Sequence, residues 1–157
     1  MTPASRPMQI ALKYGLLITF GVILWTITLH FLIPDPASPV HNVGAGIVFN
    51  LFEIAGIFLG LRAKTRETQD SLKFKEGIKT GLSIALVYAV SSCLFFLLEI
   101  ILFGPVFLDA KMQGQTQPVW QVALGAFAGL FIGALLLGLI YSTIISFILA
   151  ARHRWAP

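Results

Sequence analysis

The chain is poor in charged residues and has only one cysteine, and both shortages limit what it can be. Asp, Glu, Lys and Arg make up 11% of its 157 residues, whereas roughly 25% is usual in soluble globular domains. An ordinary water-soluble surface cannot be built from this composition. Cys93 has no second cysteine in the chain, which excludes an intramolecular disulfide.

Residue patterns that carry chemistry are also scarce. The three histidines, His30, His41 and His153, are scattered along the chain and form no ligand cluster. No glycine-rich phosphate loop follows a strand pattern, and the serines and the cysteine have no histidine nearby at a useful depth. The sequence therefore predicts no catalytic residue, no metal site and no cofactor, and it favours a protein that is not an enzyme.

Apolar sequence is abundant instead. Hydrophobic residues make up 57% of the chain, and the mean hydropathy is +0.85. A helix needs about 20 apolar residues to cross a hydrocarbon core of about 30 Å. Lipid offers the backbone no hydrogen bonds, and the alternation of barrel strands is missing, so the segments must be helices. We predict an all-α membrane protein, a single integral domain over residues 1–157, with four transmembrane helices in an antiparallel bundle, at about 12–33, 43–61, 78–103 and 122–151.

The basic residues lie almost entirely on one side of this arrangement. Ten of the eleven Lys and Arg precede or open the first span, surround the basic connection 62–77, or follow the fourth span. Only Lys111 lies in a connection on the other side. The positive-inside rule then predicts that both termini are cytoplasmic. This topology accounts for the net charge of +4 without a dedicated anionic-lipid or nucleic-acid site, and it leaves the lipid bilayer as the predicted partner.

Glycines recur at four-residue spacing in three of the spans. Small residues at this spacing share a helix face and let two helices approach closely in lipid. We predict that they pack the helices within the bundle, with the face of a homo-oligomer as the alternative. The predicted packing residues are Gly56, Gly60, Gly77, Gly81, Gly125, Gly129 and Gly133.

Glu53 lies near the middle of the second span, where an ionised carboxylate is costly. It shares a helix face with Asn50 and Gly60, so it is expected to point into the bundle. The less costly state is a protonated carboxyl, hydrogen-bonded to Asn50 or to a hydroxyl on a neighbouring helix. Two interpretations stay open: a polar contact that holds helices together, and a proton- or cation-binding site.

Four further polar side chains are candidates. Tyr88, Ser92 and Glu99 share one face of the third span, and Glu99 lies close to its outer end. His30 lies at a similar depth in the first span. A hydrogen bond between His30 and Glu99 is within geometric reach, and contact of each with interfacial water is the alternative.

Two segments resemble a known family. Ile-Phe-Leu-Gly-Leu-Arg at 57–62 is followed, after a polar loop, by Lys-Phe-Lys-Glu-Gly-Ile-Lys-Thr-Gly at 73–81. In pattern and order they resemble a bacterial family of four-helix membrane proteins catalogued as domain of unknown function 4199, although Gly77 stands where alanine is usual. The resemblance implies a four-helix topology and a bacterial inner (cytoplasmic) membrane, and it supplies no activity.

The sequence leaves two kinds of function. The first is a structural or interaction component of the inner membrane that associates with itself or with another membrane protein. The alternative is a small proton- or ion-coupled permeation protein that uses the intramembrane carboxyl of Glu53.

Overall fold

The computed structural model describes residues 6–33, 38–68, 73–103 and 118–154. Within these ranges the chain forms four α-helices and no strand, which confirms the predicted all-α class there. Helix α1 spans Arg6–Leu32, α2 spans Pro39–Thr68, α3 spans Phe74–Phe103 and α4 spans Val119–Arg154.

Each helix contains a segment that is long and apolar enough to cross a membrane. These segments have mean hydropathies between 1.8 and 2.4, and they are Pro7–Leu32, Pro39–Arg66, Phe74–Leu102 and Trp120–Ala151. Four such segments indicate a multi-pass membrane protein. Helix α2 continues as far as Thr68, so the first half of the predicted connection 62–77 is helical.

The helix ends follow from local chemistry. Helix α2 begins at Pro39, where the fixed φ of proline suits a first helical turn and its missing N–H costs nothing. The Asn42 N–H donates to the carbonyl oxygen of Ser38 at 3.2 Å, which closes this first turn. Lys111, the one basic residue predicted on the other side of the membrane, lies outside the described residues.

Helices α2 and α3 form the centre of the arrangement. Each of them contacts the other three helices, whereas α1 and α4 do not contact one another in the described parts of the chain. The core between them includes Ile18 of α1, Ile57 of α2, and Ile84 and Ala89 of α3, all almost fully buried. Only 11% of the apolar segment of α4 is buried, against 39% of that of α3. Helix α4 is thus the helix most open to its surroundings.

Large apolar side chains cover the outside of the helices. Phe31 of α1 is 79% exposed and Ile101 of α3 is 77% exposed, and similar side chains line α2 and α4. A surface of this kind would associate or aggregate in water. It is the surface that a helix presents to lipid chains, so the exposed faces support contact with a bilayer.

Candidate functional site

Glycines mark the places where the helices approach most closely. A β-carbon added at Gly56 of α2 would overlap the side chain of Ile18 on α1, and one at Gly60 would overlap that of Ile84 on α3. A β-carbon at Gly81 of α3 would overlap that of Ser142 on α4. In lipid, such contacts replace the hydrophobic effect as the source of helix association.

The glycine run of α4 is not among these contacts. At Gly125, Gly129 and Gly133, no described atom lies within 4 Å of an added β-carbon. The predicted role of this run in packing the bundle is therefore wrong. We call these three residues the glycine face. Instead, α4 packs against the bundle through its nearly opposite face, with residues at the same four-residue spacing: Ala134, Gly138, Ser142 and Ser146.

The carboxyl of Glu53 is enclosed by three helices. Glu53 is only 3% exposed, and its Oε1 lies 3.1 Å from the position that a β-carbon would take on Gly138 of α4. The absence of that β-carbon provides the space for the carboxyl. The phenol groups of Tyr88 on α3 and Tyr141 on α4 are close enough to interact electrostatically with it.

Asn50 makes no hydrogen bond to Glu53, although the two residues share a face of α2. The Asn50 Nδ2 donates to the carbonyl oxygen of Gly46 at 2.7 Å, and the Tyr141 hydroxyl donates to Asn50 Oδ1 at 2.5 Å. The predicted hydrogen bond between Glu53 and Asn50 is therefore not formed. Glu53 Oε1 is buried and has no hydrogen-bond partner among the described residues.

The other polar candidates lie apart from this carboxyl or at its edge. Ser92 of α3 is 6% exposed and lies one helical turn beyond Tyr88 on the same face. Glu99 is half-buried near the C-terminal end of α3. His30 is exposed, and its ring meets that of Phe31 edge to face at 6.1 Å between centroids. Its hydrogen bond with Glu99 stays a prediction.

A small apolar cavity lies between α3 and α4, away from the Glu53 carboxyl. It has a volume of about 200 Å³, and Cys93, Leu97, Phe127 and Phe131 are among its lining residues. No charged or hydrogen-bonding side chain joins them in this lining. Across the described residues, no group of three His, Cys, Asp or Glu side chains is placed to hold a metal ion.

Sequence reasoning missed two residues of the Glu53 surroundings. Tyr141 is not among the predicted polar candidates, yet its hydroxyl bonds to Asn50 inside the bundle. Gly138 was left out of the glycine pattern, yet it lies against both Ala85 and Glu53. The four-residue spacing of Ala134, Gly138, Ser142 and Ser146 was a usable signal, but three glycines in register at 125–133 looked stronger.

Comparison of the chain with protein-family models, with curated proteins and with solved structures finds no match. The resemblance of residues 57–62 and 73–81 to the four-helix family thus stays a prediction, and function must be argued from the geometry alone.

Proposed function

We propose that this chain is a non-enzymatic interaction component of the bacterial inner membrane, and that it binds a transmembrane helix of a second copy through the glycine face. The open backbone at Gly125, Gly129 and Gly133 is the observation that carries the proposal. The placement in a bacterial membrane is supported by the family resemblance.

The contrast with the other close approaches supports this use of the glycine face. Gly56, Gly60 and Gly81 are each covered by a neighbouring helix, whereas the glycine face is left uncovered by the rest of the described chain. Helices associate in lipid through close packing and small residues, and three small residues in register allow a second helix to approach along three turns. A second copy presents the same face, so the two can meet about a twofold axis.

Gly129→Leu is expected to abolish this association and to leave the melting temperature of the monomer unchanged, because no described group fills the space beside Gly129. Single-molecule photobleaching in liposomes counts the subunits in each complex and so measures the association. Ala128→Leu is the matched control, since Ala128 is also exposed on α4 but lies beside the glycine face. The proposal would be contradicted if the wild-type protein were monomeric, or if the wild type, Gly129→Leu and Ala128→Leu associated equally.

The proposed topology is an antiparallel bundle with both termini in the cytoplasm. Contacts between neighbouring helices support it: Gly21 of α1 meets Phe52 of α2, and Gly60, farther along α2, meets Tyr14, earlier along α1. The exposed cations Arg62 and Lys75 flank the connection between α2 and α3, as the positive-inside rule requires of a cytoplasmic segment.

Reporters fused to either terminus are expected to indicate a cytoplasmic location, and a reporter inserted near Gln115 is expected to indicate the outside. The reason is that ten of the eleven basic residues lie on the side of the termini. Paired phosphatase and fluorescent-protein fusions make the measurement. A C-terminal fusion that is active outside the cytoplasmic membrane would contradict this topology.

Proton-coupled permeation through the Glu53 site is the second candidate. A carboxyl that only joined helices would be hydrogen-bonded, because buried polar groups are nearly always paired. Oε1 of Glu53 is instead buried without a partner among the described residues, and intramembrane acids commonly mark proton or ion pathways. Loss of pH-dependent flux in a Glu53→Gln variant is the test.

A further inference from the structure

Two pairs of residues face each other between α2 and α4. Asn50 and Glu53 are three residues apart on α2, and Gly138 and Tyr141 are three residues apart on α4, so each pair shares one helix face. Tyr141 bonds to Asn50 at 2.5 Å, and Gly138 lies against Oε1 of Glu53. The Tyr141 hydroxyl and the Glu53 carboxyl therefore lie on facing sides of α4 and α2, and in this structure the hydroxyl is bonded to Asn50 and not to Glu53.

The hydrogen bonds of Asn50 set the direction of this small network. Its Nδ2 donates to the Gly46 carbonyl, so its Oδ1 is the atom that faces Tyr141. An amide oxygen can only accept, so the single hydroxyl proton of Tyr141 is committed to Asn50. The oxygen of that hydroxyl keeps lone pairs that can accept a further hydrogen bond.

The two protonation states of Glu53 require opposite hydrogen bonds with the Tyr141 hydroxyl. A neutral carboxyl carries an O–H that can be donated to the Tyr141 oxygen, and the bond to Asn50 is then kept. An ionised carboxylate can only accept, and a buried one needs a donor. The Tyr141 hydroxyl has one proton, so it cannot donate to Asn50 and to Glu53 at the same time.

We propose that Glu53 and Tyr141 form a proton-binding site in which the Tyr141 hydroxyl acts as a two-position switch, bonded to Asn50 when Glu53 holds a proton and to Glu53 when the proton has left. The departing proton goes from Glu53 to water, and Tyr141 keeps its own proton and only reorients it. Release of the proton thereby breaks the α2–α4 link at Asn50. A role of this switch in transport rests on the permeation candidate, whereas the switch itself does not.

Other groups near the Glu53 carboxyl could also donate a hydrogen bond to it, so the test has to distinguish them from Tyr141. On α3, Tyr88 is buried beside Glu53 and interacts with it electrostatically. On α1, Tyr14 lies against Gly60, about two helical turns along α2 from Glu53, and the ammonium group of Lys13 lies over the Tyr14 ring. Tyr88 is thus the rival donor, and it supplies the matched control.

The test is infrared difference spectroscopy of the protein in liposomes during a pH titration, with isotope-labelled tyrosine. The chain has three tyrosines, which keeps the spectrum simple. We expect the protonated carboxyl band to disappear and a tyrosine C–O band to shift at the same midpoint. Tyr141→Phe should lose the tyrosine shift, and Tyr88→Phe should keep it.

Each outcome decides the proposal. The proposal would be overturned if the tyrosine band still shifted in Tyr141→Phe, whether or not the shift was lost in Tyr88→Phe. It would also be overturned if the wild-type carboxyl band titrated and no tyrosine band shifted. The wild-type measurement needs no substitution, so a variant that fails to fold does not block the test. Coupled bands in a protein that passes no protons would support the switch and remove the permeation candidate alone.

Discussion

Replacing Gly138 by leucine is expected to destabilise the bundle far more than the same substitution at Gly129. A β-carbon at Gly138 would already overlap that of Ala85 and press on Glu53, so the leucine must push α4 away from α2 and α3. Overpacking of this kind costs about 1–3 kcal/mol and occasionally more. At Gly129 no atom of another described helix lies within 4 Å of an added β-carbon, so the leucine is expected to extend toward lipid or a partner helix.

Thermal unfolding in detergent, where the proposed association is weakened, measures the difference between the two variants. Gly133→Leu is a second control, because Gly133 also has open space around an added β-carbon. If Gly138→Leu melted at the wild-type temperature, the tight contact between α3 and α4 at Ala85 would be refuted. From the sequence alone, Gly129 is among the predicted packing residues and Gly138 is not.

If the second candidate function is right and protons pass through the Glu53 site, Glu53→Gln is expected to abolish pH-dependent proton flux in proteoliposomes, because glutamine keeps the shape of the side chain but cannot release a proton. Its melting temperature should stay at the wild-type value, since the buried volume is unchanged. Flux is followed with an internal pH-sensitive dye under an imposed gradient. Wild-type vesicles that pass no protons, or a Glu53→Gln variant that passes them normally, would rule out permeation through Glu53 and leave the interaction function.

The number and the approximate positions of the helices were predictable from the sequence, and the physical reason is lipid. A hydrocarbon core offers no hydrogen bonds to the backbone, so long apolar segments have to be helices, and the length of each segment shows that it can cross. The burial of Glu53 was predictable for a related reason, because a carboxyl at that depth is costly against lipid chains.

The orientation of α4 was decided only by the tertiary structure. Bundle-facing and lipid-facing positions of a membrane helix are both apolar, so the periodicity that orients a helix in water is weak here. Glycines at four-residue spacing suit packing inside one chain and between chains equally well. The sequence therefore pointed to Gly129, whereas the structure packs the face that contains Gly138.

The partners of the buried polar groups were likewise decided by the fold. Tyr141 and Asn50 are 91 positions apart, and nothing in local spacing pairs them. Sequence placed Asn50 beside Glu53 because both lie on one face of α2, and that placement holds. Which of the two receives the Tyr141 hydroxyl depends on how α4 packs against α2 and α3. Gly138 lies against both Glu53 and Ala85 there, a close approach that only the packed bundle defines.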